Sequence, residues 1–252
     1  MLKQFFVILS LLFLVSTFAQ KKNKGVQTLN DIPDEFYNEM TVGITTNTNS
    51  ALIGGFTFKY LRQINDKWYH AFGAEIVNVK NPKEQKFASY QTGNNFILGK
   101  LNHLYSLRLQ YGRELMLFGK YPEDGVRVSA NIMGGLTLGF VKPYYIEYDY
   151  STSSGPDYRI EPYNPDIHEN VTRILGRGGF FHGFDKISVK PGINLKAALN
   201  FEFGTGELLQ SVTGLEIGFN FEVFAQEIPI FEVGNKGTFT SLFCILYIGS
   251  RY

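Results

Sequence analysis

Residues 187–203, ISVKPGINLKAALNFEF, place Ile187, Val189, Ile193, Leu195, Ala197, Leu199, Phe201 and Phe203 on one side, and Ser188, Lys190, Gly192, Asn194, Lys196, Asn200 and Glu202 on the other. Side chains of an extended strand point alternately to its two faces, so this period of two specifies a strand with one apolar and one polar face. Residues 214–223, GLEIGFNFEV, repeat the pattern, with Leu215, Ile217, Phe219, Phe221 and Val223 opposing Gly214, Glu216, Gly218, Asn220 and Glu222. Between the two segments, Gly204-Thr205-Gly206 is a tight-turn signal.

The same alternation extends in both directions. Val126, Val128, Ala130, Ile132, Leu136, Leu138 and Phe140 oppose Arg127, Ser129, Asn131, Gly135, Thr137 and Gly139. Tyr105, Leu107, Leu109 and Tyr111 oppose Ser106, Arg108, Gln110 and Gly112. Trp68, Phe72, Ala74 and Ile76 oppose Gly73 and Glu75, and Phe56, Phe58 and Tyr60 oppose Gly55, Thr57 and Lys59. Met40, Val42 and Ile44 open the series; Leu242, Cys244, Leu246, Ile248 and Tyr252 close it, with Arg251 on the other face. These segments predict an all-β chain, an up-and-down, eight-stranded antiparallel β-barrel.

Composition agrees. Among 252 residues there are 23 Phe, 15 Tyr and 26 Gly, which favours strands and turns over helices. Lys+Arg 24 against Asp+Glu 23 argues against a nucleic-acid partner, and the single Cys244 excludes a disulfide framework or a cysteine-rich metal site. Residues 1–19 read as a cleaved signal peptide: Lys3, then an apolar run from Phe5 to Val15, then small residues at Thr17 and Ala19. Residues 20–37 read as a periplasmic tail, open to docking or disorder, and 38–252 as the barrel.

Connector lengths alternate. Asn65 to Lys67, Phe118 to Gly125 and Gly204 to Gly206 are short, whereas Lys80 to Leu101, Lys142 to Lys186 and Gln226 to Gly237 are long; Asn47 to Ser50 breaks the rule. Outer-membrane barrels sort short turns and long loops in this way, which favours a transmembrane barrel over a soluble, lipocalin-like one. In the membrane reading the polar face is a plugged lumen lined by Lys59, Glu75, Arg108, Arg127, Lys190, Lys196, Glu202, Glu216, Glu222 and Arg251, with Gly192, Gly214 and Gly218 making room for the long charged side chains. Mixed signs in so narrow a space favour ion pairs over a conducting pore.

The 142–186 segment reads as one long irregular extracellular loop. Its Tyr144, Tyr145, Tyr148, Tyr150, Tyr158 and Tyr163, with Phe180 and Phe181, suit either a partner-binding surface or an aromatic lid packed on itself. Gly176 to Gly179 is rejected as a phosphate-cradling loop because no strand precedes it and no Lys-Ser/Thr follows. For catalysis, His103 and His182 with Ser106 and Ser188 are the only base and nucleophile candidates near strand ends; His70 and His168 complete the histidines. Glu147, Asp149 and Asp157 are a loose calcium set, and no metal or cofactor is expected.

With its leader, its glycine-rich polar-in strands and its final Tyr252, the chain resembles small outer-membrane β-barrels of Bacteroidota, the PorT-like and OmpA-type group, best over Leu195–Phe203, Leu215–Val223 and Leu242–Tyr252. The resemblance implies that Tyr252 is the assembly signal read by the outer-membrane insertion machinery. It also implies an outer-membrane lipid environment and a non-enzymatic accessory or scaffold role in an envelope complex, such as type IX secretion or outer-membrane protein assembly. A lipid-modifying barrel enzyme and a narrow channel are the alternatives. The chain offers no stretch for a peptidoglycan-binding domain, so cell-wall anchoring is not expected.

Overall fold

The computed structural model describes residues 37–50, 53–119, 126–203 and 211–252. The signal peptide, most of the tail and the Gly204–Gly206 turn lie outside them. In chain order the strands are β1 (Asn38–Asn47), β2 (Gly55–Gln63), β3 (Trp68–Val79), β4 (Lys86–Ala88), β5 (Asn95–Ile97), β6 (Asn102–Phe118) and β7 (Arg127–Pro143). There follow β8 (Tyr145–Asp149), β9 (Tyr158–Pro162), β10 (Ile174–Arg177), β11 (Ser188–Phe203), β12 (Ser211–Ile228) and β13 (Lys236–Arg251).

Eight of them close a barrel in the order β1-β13-β12-β11-β7-β6-β3-β2, every neighbour antiparallel. Closure runs through β1 and β13, from Glu39 opposite Arg251 to Asn47 opposite Phe243. The seam continues one step further, where Asn38 and Tyr252 exchange both backbone hydrogen bonds at 3.0 Å. A closed ring leaves no unpaired edge, the condition for a sheet to cross lipid.

Facing direction separates the two barrel types that periodicity left open. The apolar face is outside: Ile132 and Leu136 are 65% exposed, Ile193 and Leu242 62%, and Phe56 62%. The charged face is inside. A water-soluble barrel requires the reverse, so the lipocalin-like alternative falls and the fold is that of a transmembrane β-barrel. Near the end that carries the termini, Tyr60, Phe72, Tyr111 and His70 form an outward aromatic band, with Phe72 and Tyr111 centroids 5.1 Å apart and the Tyr111 hydroxyl 2.8 Å from His70 Nδ1. Such bands mark the interfaces of membrane barrels.

The far end carries the long connections, and here the expectation of irregular loops is corrected. Residues 142–186 contain a three-stranded sheet ordered β10-β8-β9, and the Lys80–Leu101 connection contains the β4–β5 hairpin. The two segments share one apolar core of Phe96, Tyr144, Ile146, Tyr148, Tyr163 and Ile174. Polar bonds tie them further: Ser89 Oγ donates to the Ile174 carbonyl at 2.6 Å, and the Ile97 amide donates to the Tyr144 hydroxyl at 2.9 Å. The β12–β13 connection joins them, since the Leu101 amide donates to Ile230 O at 3.0 Å and the Glu232 amide to Gly99 O at 2.8 Å. Three loops therefore make one folded cap.

Candidate functional site

Inside the barrel, seven charged side chains alternate in sign. Glu222 accepts from Arg108 (3.0 Å); Arg108 also reaches Glu75 (3.3 Å); Glu75 accepts from Lys196 (2.6 Å), and Lys196 reaches Glu216 (2.6 Å). Glu216 then accepts from Lys59 (3.0 Å), which donates to Glu114 (3.1 Å). This chain crosses the lumen repeatedly, linking β12, β6, β3, β11 and β2 through side chains rather than backbone. Neutral groups add to it: Ser129 Oγ donates to Glu114 at 2.6 Å, Lys59 also donates to Asn200 Oδ1 at 3.1 Å, and Ser106 Oγ donates to Glu222 at 3.4 Å. At the terminus end, Arg251 bridges Glu39 (2.8 Å) and Glu202, while Arg127 lies over the Tyr69 ring at 5.9 Å.

Of the residues read into the lumen, Lys59, Glu75, Arg108, Lys196, Glu216 and Glu222 lie in this chain, and Arg127, Glu202 and Arg251 lie nearer the terminus end. Lys190 is a correction: it stands at the loop-end mouth, partly exposed, and donates to Gln226 at 2.9 Å rather than joining the chain. Glu39 and Glu114 were missed, although each continues the inward parity of its strand, Glu114 following Arg108, Gln110 and Gly112. The glycines make room for a different guest than expected. A Cβ on Gly192 meets the Phe224 ring at 3.0 Å, one on Gly214 meets the Tyr247 hydroxyl at 2.4 Å, and one on Gly218 meets the Phe243 ring at 2.7 Å. They accommodate inward aromatics, not long charged side chains.

Two features close the lumen. Toward the cap, Val79, Leu104, Val141, Phe224, Ile228 and Ile230 form an apolar layer across the barrel. Toward the termini, the cavity bounded by Glu39, Glu114, Arg127, Glu202 and Arg251 has a volume of about 10 Å³, room for roughly one water molecule.

The aromatic residues of the 142–186 segment divide. Tyr144, Tyr148 and Tyr163 are 3%, 4% and 7% exposed in the cap core and are unavailable to a partner. Tyr145 and Tyr150 are half-buried, and Tyr158, Phe180 and Phe181 are exposed. His168 is structural: the Asn164 amide donates to its Nδ1 (3.0 Å), so the neutral ring carries its proton on Nε2 and donates it to Glu161 (2.9 Å). Tyr150 donates to the same carboxylate oxygen at 2.5 Å, which pushes the phenol up to about 12.

The histidine and serine candidates for catalysis are not brought together. His103 shares the outward face of β6 with Tyr105, whereas Ser106 points into the lumen toward Glu222. His182 packs on Tyr145, centroids 5.9 Å apart, while Ser188 starts β11 opposite Val141. Of the loose calcium set, Asp157 is taken by Arg159 and Asp149 by the Ser151 amide, and the described residues hold no cluster of three metal-ligating side chains.

A closed ring with lipid-facing apolar residues, a charged and filled interior, and connections sorted by length defines an outer-membrane β-barrel protein. No family model matches the chain, and no curated protein does. Among solved structures, the chain is similar to Neisserial surface protein A at 9% identity and a TM-score of 0.40, over 86% of this chain and 97% of that one. It is also similar to Ail, the attachment invasion locus protein of Yersinia pestis, in complex with the heparin analogue sucrose octasulfate, at 10% identity and a TM-score of 0.38, over 85% and 97%.

Proposed function

We propose that this protein is a non-conducting, non-enzymatic anchor of the outer membrane that presents its cap to an envelope partner, as an accessory or scaffold subunit. The observation that carries the reading is the pairing of a filled barrel with a folded cap. A lumen crossed by ion pairs and closed by an apolar layer offers no path for solute, so the ordered surface is the part left to act. Chains that merely connect strands do not need a shared six-residue core or a neutral histidine bonded from both sides. The cap is extracellular in this reading, with both termini periplasmic. Partners in type IX secretion or outer-membrane protein assembly are the specific candidates, and Tyr252 serves insertion.

The test is a mild-detergent pull-down of a chromosomally tagged copy, with quantitative mass spectrometry. A stoichiometric envelope complex that is lost when the exposed Tyr158 and Ile160 of β9 become Asp, in a barrel that still inserts, supports the reading. Recovery of the wild type as a lone monomer refutes it.

A further inference from the structure

The outward residues of β6 and β7 form a column of cross-strand pairs: Leu109 with Leu136, Leu107 with Leu138, Tyr105 with Phe140, and then His103 with Lys142. Each step is about 6.6 Å, two residues of rise. The outward apolar column thus ends abruptly in His103 and Lys142. Beside that pair a cavity of about 580 Å³ opens between the β4–β5 hairpin and the β8–β10 sheet. Lys86, His103, Lys142, Arg177 and His182 line it, and its described lining includes no Asp or Glu.

Lys142 is the unusual member. It is 3% exposed, and no carboxylate pairs with it among the described residues. Its ammonium is held by the Phe180 carbonyl and lies 4.6 Å and 4.4 Å from the centroids of the Phe180 and Phe184 rings. A buried cation without an anion is costly unless a ligand supplies one. Phe180, Phe181 and Phe184, 62%, 82% and 48% exposed, stack edge to face beside it, a patch suited to the boundary between headgroup and acyl chain. Of the two grounds for rejecting Gly176–Gly179 as a phosphate-cradling loop, the missing strand is corrected and the missing Lys-Ser/Thr stands. Strand β10 runs into Gly178 and Gly179, which line the cavity next to Arg177.

We propose that this cavity binds the phosphorylated sugar headgroup of an outer-leaflet glycolipid, with Arg177 and Lys142 pairing to the phosphate and the three phenylalanines resting against the lipid. A guanidinium fork and a desolvated ammonium are the groups that recognise a phosphate monoester. The volume suits a phosphosugar. The inference rests on the outer-membrane reading and extends it.

The experiment places the full-length protein in phosphatidylcholine nanodiscs containing either bisphosphorylated lipid A or the same lipid with its phosphates removed. Native mass spectrometry counts the glycolipid retained. Phosphorylated lipid A is expected to be retained at least about tenfold better, an advantage lost in the Lys86→Gln/Arg177→Gln double variant, both of whose sites are exposed and remote from the barrel core. Equal retention of the two lipids, or no loss in the variant, overturns the proposal. Displacement by inorganic phosphate, or by a sulfated polysaccharide, at matched anion concentration overturns the lipid assignment. Heat-modifiable mobility of the same samples tests the barrel separately. An inserted barrel without phosphate discrimination refutes this site alone, whereas a failure to insert refutes the membrane reading and this one together.

Discussion

Replacing Lys196 by Met removes the central cation of the lumen chain while keeping a side chain of similar length against the Phe243 ring, where the ammonium now lies 4.7 Å from the centroid. As it stands, the chain has four carboxylates (Glu222, Glu75, Glu216, Glu114) and three cations (Arg108, Lys196, Lys59). Lys196→Met leaves four negative groups to two positive ones, with Glu75 and Glu216 each losing a 2.6 Å partner at 6% and 3% side-chain exposure. Removing one member of a buried pair costs about 3–5 kcal/mol, and the added negative excess places this variant in that range. Glu216→Gln balances the chain at three and three, and the amide still hydrogen-bonds. Its expected cost is about 1–2 kcal/mol. The double variant restores the original excess of one, so it should cost less than the sum of the singles by about 1 kcal/mol or more. Urea unfolding in lipid vesicles measures all three, with the single tryptophan, Trp68, as a reporter on the outer face near the terminus end. A loss below about 1 kcal/mol for Lys196→Met would mean a solvated lumen. A Glu216→Gln cost equal to that of Lys196→Met would refute the charge reasoning itself.

In planar bilayers the wild type should show no conductance steps, and sustained ion current would sink the filled-lumen reading. Phe224→Ala removes a 4%-exposed ring from the apolar layer and should cost about 3–5 kcal/mol in the same unfolding assay. Gly218→Ala places a Cβ 2.4 Å from Ala197 O and 2.6 Å from Ala198 Cβ, so about 1–3 kcal/mol of destabilisation is expected; a neutral result would show that the wall yields at this point. In the cap, burial raises the Glu161 carboxyl, but hydrogen bonds from Tyr150 and His168 outweigh it and hold the group below its ordinary 4.5. A lowered folded-state value stabilises above the unfolded one and is lost as pH falls through the folded one, so cap proteolysis should accelerate below about pH 4.5 and Glu161→Gln should flatten that response. The raised Tyr150 has the opposite sign: its contribution is complete below pH 10 and disappears toward about 12, which ultraviolet titration of Tyr150→Phe against wild type reads directly.

The barrel was legible because lipid on one side and a narrow lumen on the other impose a strict period of two, and a period is visible in one sequence. In β11 and β12 every charged residue within the membrane stretch is on one face, so which residues share a face followed from parity, whereas the direction of that face did not. Legibility failed where burial replaced alternation. Tyr144, Tyr148 and Tyr163 look like a binding surface by composition, because an amphipathic ring serves a partner interface and a small core equally well. Only tertiary pairing of the β4–β5 hairpin with the β8–β10 sheet distinguishes the two. The nitrogen-bearing lining of the cavity was invisible for the same reason: Lys86, His103, Lys142, Arg177 and His182 come from distant segments, and no local spacing announces that they meet.

Strand β13 shows why most of the lumen is polar at all. Residues 242–248, LFCILYI, are apolar on both faces, with Phe243, Ile245 and Tyr247 buried inside against Ala198 and Val212. An exterior that must face lipid already makes half of every strand apolar. If each inner face were apolar too, all eight strands would read as continuous hydrophobic runs, prone to aggregate in water before the barrel closes. Charged inner residues such as Lys59, Arg108, Lys196 and Glu216 interrupt those runs and cost little afterward, because closure brings each one to an opposite charge. Strand β13 forgoes that protection, and its own inner charge, Arg251, is held by Glu39 from β1 and Glu202 from β11. The charge of the seam strand is therefore paired only once β1 has closed the ring on one side and β11 stands beyond β12 on the other, and the seam is where closure links the two ends of the sheet.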